Sequence, residues 1–373
     1  MAKNPRILIV TPTYTHPQDQ GNSARIHAFA TQLQRRGIEI DVLYFVLDGL
    51  RDESLHQMQA QWNTVHLLPQ MPHKQQSFAS HWGLDDWCPD TLISRVRALN
   101  AANQYAAVIV NYVWLSGCFE GVHDSLRILD THDLFGDRAR IAAAAGLEPS
   151  WFFTTVDEEQ RGLDRADLVL AIQDQEEAAL AARTTSRVMT VGHLINALPA
   201  LDRPQSDQPV FGYFGSANPW NVASVRALDK ALAERGSIAR WAMAGSVSRK
   251  VPDLRTSPIN LGRVDQVSDF YDMVDCVLNP MTAGTGLKIK TIEALAHGRP
   301  VMGTDQAFAG LPALHEGHRL SDPDAMVAAM DAYCESRSYR DELALASRAV
   351  WREYTSLTET QYDALAKAIR AYK

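Results

Sequence analysis

Short apolar runs alternate along the first half of the chain with segments whose apolar residues recur every three or four positions. The run Arg6 to Pro12 is apolar enough for a fully buried strand, and Ser23 to Arg36 then shows helical spacing that stops at Gly37. Further strands are predicted at Ile38 to Leu47, Val65 to Pro69, Ala107 to Val113, Arg127 to Leu129, Asp167 to Ala171 and Arg187 to Val191, with helices at Phe153 to Arg165 and Asp174 to Ala182. This alternation predicts a doubly wound parallel α/β sheet.

The alternation is interrupted once and then starts again. Residues 196–209 are rich in Pro, Asp and Gln and lack apolar periodicity, which is typical of a linker between domains. Beyond the linker, strands are predicted at Val210 to Phe214, Ile238 to Ala244, Ile259 to Leu261, Cys276 to Asn279 and Pro300 to Gly303, and helices at Val222 to Arg235, Val267 to Val274, Leu287 to His297, Asp324 to Cys334, Tyr339 to Tyr354 and Leu357 to Ala371. Two similar α/β domains in tandem imply a cleft between them.

The domain boundaries that we predict follow from these patterns. An N-terminal Rossmann-like domain covers residues 1–195, the linker covers 196–209, and a second Rossmann-like domain covers 210–350. The last helix, in residues 351–373, has no strand left to cover, so we expect it to pack back on the N-terminal domain. The length of 373 residues suits two or three domains.

Composition and charge exclude several classes of protein. Hydrophobic residues make up 46% of the chain and charged residues 21%, which indicates a folded globular protein. The net charge of −8 argues against nucleic acid as a partner, so any anion site must be local. The four cysteines are far apart and lack metal-ligand spacing, and we expect no metal and no cofactor.

No segment predicts export or membrane insertion. The N-terminal residues lack the length and cleavage site of a signal peptide. The most apolar stretch, Ala106 to Cys118, contains Asn111 and is shorter than the ~20 residues of a membrane span. We therefore expect a soluble cytoplasmic protein.

Ligands of open α/β sheets bind beyond the carboxyl ends of the strands, so the loops there are the first candidates for a site. The loop Thr11 to Arg25 is polar, and in it Gly21 lets the backbone approach a ligand just before a helix begins. It has neither the G-x-G-x-x-G pattern nor a Walker A pattern, so it gives no support to dinucleotide binding or ATP hydrolysis. An ordinary surface loop is the alternative reading.

Three ionisable residues, Asp130, His132 and Asp133, lie within four positions directly after the fifth strand. Such groups are costly at the end of a buried strand unless they are solvated, paired or used. His132 could contact a sugar hydroxyl or a leaving group, with either aspartate orienting its imidazole, and Arg138 could pair with an acid or face the cleft. A cation site and a purely structural role are the two alternatives.

The loop from Phe214 to Asn221 follows the first strand of the second domain. Gly215 permits close backbone approach, Ser216 or Asn218 could cap the next helix, and Pro219 suits its first position. Backbone amides there could hold a phosphate. A well-capped loop without a ligand is the alternative.

The strongest candidate is the segment 279–301, in which a strand leads through a Gly-Thr-Gly loop into a helix. Backbone amides of this loop and the positive end of the helix form a cradle for an anion, made by Gly284, Thr285, Gly286 and Leu287. Lys288 in the predicted first turn opposes the helix dipole, which a bound phosphate would explain. Glu293 could accept two hydrogen bonds from a ribose diol, whereas we expect Lys290 to face solvent.

The same segment resembles a known signature. GTGLKIKTIEALAHGRPV at 284–301 is similar to the pattern G-x-G-x-K-x-K-x-x-E-A-x-A-x-G-x-P-V of GT-B glycosyltransferases of the family 4 (glycosyl transferases group 1) type. Supporting matches are the first strand with its glycine loop, LDTHD at 129–133, Gly215 with Ser216, LGRV at 261–264 and a terminal helix containing Trp351.

The resemblance implies a GT-B fold and roles for individual residues. In the second domain, Glu293 would contact the ribose of a nucleotide diphosphate sugar, Lys288 and the 284–287 amides the diphosphate, and the backbone near Arg263 and Val264 the base. In the first domain, Gly21 would approach the diphosphate and His132 the transferred sugar. Two features depart from the family pattern: Thr285 stands where the signature has a first glutamate, and Ser216 to Asn221 replace its usual Arg and Lys.

The leading hypothesis is therefore a metal-independent hexosyltransferase that uses a UDP- or GDP-sugar, with His132, Asp133 and Lys288 as catalytic candidates and with retention implied by the resemblance. The hydroxyl acceptor, a glycan, a lipid-linked sugar or a protein, stays open, as does peripheral contact with the inner face of a membrane. Bacterial-type glycan synthesis is the expected setting. A nucleotide-sugar-binding module without activity is the alternative, and an epimerase ranks last. Acceptor contacts are expected from the loop Gln70 to Trp87, whose Trp82, Trp87, His73 and His81 could instead serve packing.

Overall fold

The chain folds into two compact α/β units in the computed structural model, which describes residues 4–69, 75–149, 151–197, 206–264 and 266–372. Unit 1 comprises Met1–Leu194 together with Thr358–Lys373, and unit 2 comprises Ile195–Leu357. Residues 198–205 of the predicted linker lie outside the described residues, as does His73 of the predicted acceptor loop.

Unit 1 contains a seven-stranded parallel sheet in the order β3-β2-β1-β4-β5-β6-β7. Its strands are β1 Arg6–Thr11, β2 Glu39–Val46, β3 Thr64–Pro69, β4 Ala107–Asn111, β5 Leu126–Asp130, β6 Leu168–Ala171 and β7 Arg187–Thr190. Its helices are α1 Gly21–Arg35, α2 Asp52–Gln61, α3 Asp90–Asn103, α4 Arg138–Ala144, α5 Val156–Leu163 and α6 Asp174–Ala181, with a 3-10 segment at Val113–Gly121.

The apolar run of β1 fills the cores on both faces of this sheet. Ile7 and Ile9 pack on one face with α1, and Leu8 and Val10 pack on the other face with α3. Successive side chains of a strand point to opposite faces, so a strand that is covered on both sides must be apolar at every position. This explains why the sequence shows a continuous apolar run here.

Unit 2 contains a five-stranded parallel sheet in the order β10-β9-β8-β11-β12. Its strands are β8 Val210–Phe214, β9 Arg240–Ala244, β10 Ile259–Gly262, β11 Cys276–Asn279 and β12 Val301–Gly303. Its helices are α7 Pro219–Arg235, α8 Val267–Met273, α9 Ile289–Ala296, α10 Pro323–Glu335 and α11 Arg337–Ala371, with 3-10 segments at Ser246–Lys250, Asp305–Phe308 and Glu316–His318. The five strands of unit 2 follow the same order as the first five strands of unit 1, and the two parallel sheets confirm the predicted fold class.

Helix α11 begins in unit 2 and ends in unit 1. Val350 is buried in a core of unit 2, whereas Tyr362, Leu365 and Ile369 are buried in the core of unit 1 beside Phe29. The sequence pattern predicts two helices here, but the structure has one of 35 residues. No glycine or proline interrupts this segment, so nothing in the sequence ends the first helix.

Two predicted boundaries near the candidate sites are wrong by a few residues. The fourth strand ends at Asn111 instead of Val113, because Tyr112 has a φ of 72° and a 3-10 segment follows. The helix predicted from Leu287 begins at Ile289, because Gly286 has a φ of 72° and Lys288 is its non-helical N-cap. Both differences come from backbone conformations that apolar periodicity does not encode.

Candidate functional site

In each unit the strand order reverses direction at one point, between β1 and β4 in unit 1 and between β8 and β11 in unit 2. Loops that leave the carboxyl ends of strands on opposite sides of such a point separate and leave a crevice. In unit 2 these loops are residues 215–218 and 280–288, and in unit 1 they follow β1, β4 and β5. The predicted donor-binding and catalytic residues lie in these loops, in the loop after β10 or in the helices that follow, whereas Asp130 is the last residue of β5 and the predicted acceptor residues follow β3.

The loop 283–288 holds its carbonyl groups toward the protein. Gln306 Nε2 donates to the carbonyl oxygen of Gly284 at 2.9 Å, and Lys288 Nζ donates to those of Thr285 at 2.9 Å and Gly286 at 2.5 Å. Gly284 has a φ of 132° and Gly286 one of 72°, conformations that glycine adopts without strain. Three consecutive carbonyl groups are therefore fixed by side chains.

Three amide groups of the same loop differ from its carbonyl groups in their hydrogen bonding. Within the described residues, the N–H groups of Gly284, Thr285 and Leu287 donate no hydrogen bond to the protein. Helix α9 follows directly, and its first turn carries no acidic residue. Amide groups in such an arrangement at a helix N-terminus form an anion-binding site, as the sequence predicts for this loop.

Lys288 takes a position different from the one predicted. It is the N-cap residue of α9 and not part of its first turn, and only 6% of its surface is exposed. Because its ammonium group donates to two carbonyl oxygens of its own loop, the charge stabilises the loop against the unfavourable helix dipole. The hydrogen bonds of Lys288 therefore fix the conformation of the loop at Thr285 and Gly286.

The prediction that Lys290 faces solvent is wrong. Lys290 Nζ donates to the hydroxyl of Tyr213 at 2.9 Å and to Oδ1 of Asn221, and it lies 4.8 Å from the centre of the Tyr213 ring. The long aliphatic stem lets the ammonium reach across the crevice from α9 to β8 and α7. Burial lowers the pKa of Lys290 to about 7, with the charge of Lys288 adding to the shift.

Glu293 lies one turn along α9 from Lys290. Burial raises the pKa of Glu293 to about 7, and the charge of Lys290 offsets part of this effect. Within the described part of the chain its carboxylate makes no hydrogen bond and no ion pair. An acceptor of this kind, partly buried and without a donor, suits the hydroxyl pair of a ribose.

Two buried polar atoms lie unpaired near the same helix. Asn279 donates through Nδ2 to the hydroxyl of Thr291 at 2.9 Å, but its Oδ1 has no partner among the described residues. The hydroxyl of Tyr271 is likewise buried without a partner, and its ring stacks on His297 at 4.1 Å. Burial raises the pKa of Tyr271 well above its usual value, and the nearby Glu293 charge adds to this. Both residues are candidates that the sequence does not reveal.

The loop after β8 is largely occupied by its own hydrogen bonds. The amide of Gly215 donates to the carbonyl of Ala244 at 3.1 Å, and the carbonyl of Gly215 accepts from Val247 at 3.1 Å. Ser216 is exposed, and its hydroxyl accepts from Asn221 Nδ2 at 3.2 Å. Asn218 caps α7, with Oδ1 accepting from the Asn221 amide at 2.8 Å. The side chain that contacts α9 from this side of the crevice is Asn221, in the first turn of α7.

The loop after β10 carries the two remaining residues of unit 2. Arg263 is exposed, and its guanidinium makes no contact with other described residues. Val264 is partly buried and packs against the core of unit 2. Both lie at the same edge of the sheet as the 284–287 loop, since all five strands are parallel.

In unit 1 the central group at the sheet edge is Asp130, which is fully buried. Its carboxylate lies 3.3 Å from Arg25 Nη2, 3.3 Å from Asn111 Nδ2 and 3.2 Å from His132 Nε2. Burial alone would raise the pKa of Asp130, but the charges of Arg25 and His132 outweigh it and hold the pKa well below its usual range. Arg25 also donates to the carbonyl oxygens of Val191 and Gly192.

His132 is held by ring stacking as well as by Asp130. Its backbone has a φ of 62°, and its ring stacks on Tyr112 with 4.3 Å between the ring centres. Tyr112 itself has a φ of 72°. Non-glycine residues adopt such conformations at a cost of about 1–3 kcal/mol, and they persist where the surroundings fix them. The imidazole therefore has one defined orientation at the edge of the sheet.

Asp133 and Gly21 lie near this edge but not in the Asp130 cluster. Asp133 accepts from Arg138 Nη1 at 3.2 Å, so the ion pair considered for Arg138 forms with this aspartate. Gly21 is the first residue of α1 and is exposed, between the capping pair Gln20 and Ser23. Of the predicted acceptor residues, Trp87 is buried among aromatic rings, Trp82 packs edge-on against it at 5.4 Å, and His81 stacks on Phe78 at 4.5 Å.

Two further kinds of site are not seen in the described ranges. No group of three or more His, Cys, Asp or Glu side chains there is arranged to hold a metal ion. Among the helices that the structure describes, none combines the length and apolar character that crossing a membrane needs.

Comparison with known protein families gives one match. Residues 208–336 match the family described as glycosyl transferases group 1, which covers most of unit 2, including the loop 283–288 and α9. No curated protein sequence matches the chain.

Solved structures resemble the whole chain. Sucrose-phosphate synthase from Thermosynechococcus elongatus has a TM-score of 0.71 at 15% identity, covering 99% of this chain and 100% of its own. TarM of S. aureus has a TM-score of 0.74 at 9% identity, covering 98% and 99%. Anabaena HepE in complex with UDP and glucose has a TM-score of 0.66 at 13% identity, covering 97% and 100%. The fold is therefore that of the GT-B glycosyltransferases, as the sequence signature implies.

Proposed function

We propose that this chain is a glycosyltransferase that moves a hexose from a UDP- or GDP-sugar to a hydroxyl acceptor. The observation that carries the proposal is the loop 284–287, in which Lys288 and Gln306 fix the carbonyl groups and the amides of Gly284, Thr285 and Leu287 donate no hydrogen bond within the described residues. The family match over residues 208–336 supports it. HepE and TarM, which share the fold, have been crystallised with UDP-glucose and with UDP, respectively.

Different residues of unit 2 contact different parts of the donor. The amides of 284–287 receive the diphosphate, the carboxylate of Glu293 accepts from the ribose hydroxyls, and the backbone at Arg263 and Val264 borders the base. Gly215 and Ser216 border the diphosphate on the β8 side, with Gly215 acting through close packing since its amide and carbonyl are already paired. In unit 1, the roles of Gly21, His132 and Asp133 toward the diphosphate and the sugar are also part of the proposal.

The chemistry that we propose is electrostatic and needs no protein nucleophile. The acceptor oxygen forms a bond to the anomeric carbon while the bond from that carbon to the diphosphate oxygen breaks, and its electron pair leaves with the diphosphate. The hydroxyl proton passes to the leaving phosphate oxygen on the same face, so the anomeric configuration is retained. Fixed amides and an ammonium group stabilise the negative charge that develops. We propose that no metal ion takes part.

The test begins with nucleotide binding and ends with transfer. Thermal shifts are measured with UDP, GDP, ADP, CMP and TDP, with and without Mg²⁺, followed by release of free nucleotide from the donor sugars of the best base. We expect UDP or GDP to raise the melting temperature without Mg²⁺ and Glu293→Gln to weaken its binding by roughly 10-fold, which corresponds to one hydrogen bond to a charged group. A wild-type protein that binds none of the five nucleotides rejects the function.

One observation favours a second candidate, a module that binds the donor without transferring its sugar. Thr285 occupies the position of an acidic residue in the signature, so the usual carboxylate contact to the donor sugar is missing. Such a module would be stabilised by the nucleotide yet release none from the donor. His132→Ala separates the two functions, because a transferase should lose turnover with unchanged nucleotide affinity, whereas a binding module has no turnover to lose.

A further inference from the structure

The crevice of unit 2 contains Lys290, the second lysine of the signature segment, which is expected from the sequence alone to face solvent. Lys290 extends from the first turn of α9 to Tyr213 on β8 and to Asn221 in the first turn of α7. Its ammonium therefore lies between the two elements that flank the reversal of strand order, where α/β sheets bind ligands.

The charge of Lys290 is not balanced by the protein. Among the described residues, no carboxylate lies within ion-pair distance of its Nζ. The two groups that hold it, a tyrosine hydroxyl and an amide oxygen, are neutral. The first turns of α7 and α9 contain no acidic residue, so both helix N-termini add positive potential to the same region. An anion is the group that this arrangement lacks.

Lys288 differs from Lys290 in what its ammonium contacts. The Lys288 ammonium is buried and donates to the carbonyl oxygens of Thr285 and Gly286, so its hydrogen bonds fix the loop. The Lys290 ammonium is instead held at the crevice by the side chains of Tyr213 and Asn221. The two lysines of the segment thus have separate tasks.

We infer that Lys290, held by Tyr213 and Asn221, supplies the ammonium group that contacts the diphosphate of the donor, while Lys288 keeps the amide loop in shape. The inference rests on the proposed function and assigns the contact with the diphosphate to Lys290, whereas the sequence resemblance assigns it to Lys288. Because residues 216–221 of the loop after β8 contain no Lys or Arg, Lys290 brings a positive charge to that loop from α9.

The groups around Lys290 determine how diphosphate binding should depend on pH. Lys288 and Glu293 on α9 and Tyr213 on β8 are the charged or titratable groups around it, and α7 contributes only the neutral Asn221. With a pKa of about 7, Lys290 is mostly neutral at pH 8 in the free protein. A bound diphosphate stabilises the charged form, so binding at pH 8 should take up a proton.

The experiment compares Lys290→Met, Lys290→Arg and the control Lys230→Met, which removes an exposed lysine of α7. UDP and UMP are titrated calorimetrically, or GDP and GMP if the wild type prefers guanine. We expect Lys290→Met to weaken diphosphate binding roughly 10- to 100-fold, as loss of a charged hydrogen bond does, and to weaken monophosphate binding less. Lys290→Arg and Lys230→Met should stay within about 3-fold of the wild type.

A second readout does not depend on the stability of the methionine variant. At pH 8, titrations in two buffers of different ionisation enthalpy should show uptake of up to about one proton per diphosphate in the wild type and none in Lys290→Arg, whose guanidinium is always charged. Equal uptake in both proteins, or a folded Lys290→Met that binds the diphosphate as the wild type does, overturns the assignment. If the wild type binds no nucleoside diphosphate, the proposed function itself fails first.

Discussion

The two sheets differ in how charged side chains are paired at the carboxyl ends of their strands. In unit 1, Asp130 is buried against Arg25, and Asp133 is paired with Arg138. In unit 2, Lys290 and Glu293 have no ion pair among the described residues. Charges that are paired inside a protein support its fold, whereas partly buried charges without partners cost stability and are retained where a ligand uses them. We therefore expect the ion pairs of the first edge to contribute mainly to stability, and we propose that the unpaired charges of the second contact the donor.

The largest effect that we predict is a loss of stability when the buried ion pair of unit 1 is broken. Asp130→Ala leaves the Arg25 guanidinium buried without its counter-charge, which should lower the free energy of unfolding by about 3–5 kcal/mol. Urea unfolding measures the change. The control is Asp253→Ala, which removes an exposed partner of Arg226 and should leave the urea midpoint unchanged.

A double variant sharpens the same point. Replacing Arg25 with Met and Asp130 with Leu removes both charges, and much of the lost stability should return because no buried charge is left alone. If Asp130→Ala unfolds at the wild-type urea concentration, the buried pair does not stabilise unit 1 as the comparison requires.

An intermediate effect is predicted at the unpaired edge. Gly284→Ala should weaken UDP binding by roughly 10-fold, because a φ of 132° strains alanine by about 1–3 kcal/mol and the loop would turn its amides away. Gly236→Ala is the matched control in the same unit, since Gly236 has a φ of 62° in open space at the end of α7. It should lower stability but not affinity. Equal loss of affinity in both variants would make the loop geometry irrelevant to binding.

The smallest effect concerns pH. Lys290 has a pKa lowered to about 7 in the folded protein, so above pH 7 the unfolded chain binds the extra proton and stability rises with pH. Glu293 has a pKa raised to about 7, so below pH 7 the folded chain binds the extra proton and stability falls as pH rises. The combined contribution of Lys290 and Glu293 to the free energy of unfolding should therefore be lowest near pH 7.

The measurement is a difference between two proteins. Urea midpoints of the wild type and of the Lys290→Met, Glu293→Gln double variant are compared at pH 5, 7 and 9. The urea midpoint of the wild type should fall furthest below that of the double variant at pH 7. Saturating UDP should reduce this difference at pH 7. A gap that changes in one direction from pH 5 to pH 9 contradicts the assignment of these two groups.

The sequence predicts the fold well because both sheets are covered on two faces. Apolar runs such as Arg6 to Thr11 can only be buried strands when helical patterns separate them, so the order of elements follows from periodicity alone. Errors arise where single residues adopt unusual backbone conformations, as Tyr112 does after β4. They also arise where a break is assumed without a glycine or proline, as in α11.

The candidate site is predicted only in part. The amide cradle could be predicted because glycines, strand end and helix start lie together in the sequence. The contacts of Lys290 with Tyr213 and of Arg25 with Asp130 join residues 77 and 105 positions apart. Periodicity places Lys290 on a polar face of its helix but carries no information on which side chains complete that face. Only the tertiary structure shows that the Lys290 ammonium is held by two neutral groups, the Tyr213 hydroxyl and the Asn221 amide oxygen.

The path of α11 has a consequence for how the chain is made. The core of unit 1 is completed by Tyr362, Leu365 and Ile369, which are translated after the whole of unit 2. While the ribosome is still adding unit 2, the partner face of α1 around Phe29 lacks the rings and methyl groups that later cover it. The core of unit 2 can thus be completed before that of unit 1, even though unit 2 is synthesised second. A stop codon before Thr358 should therefore destabilise unit 1 more than unit 2.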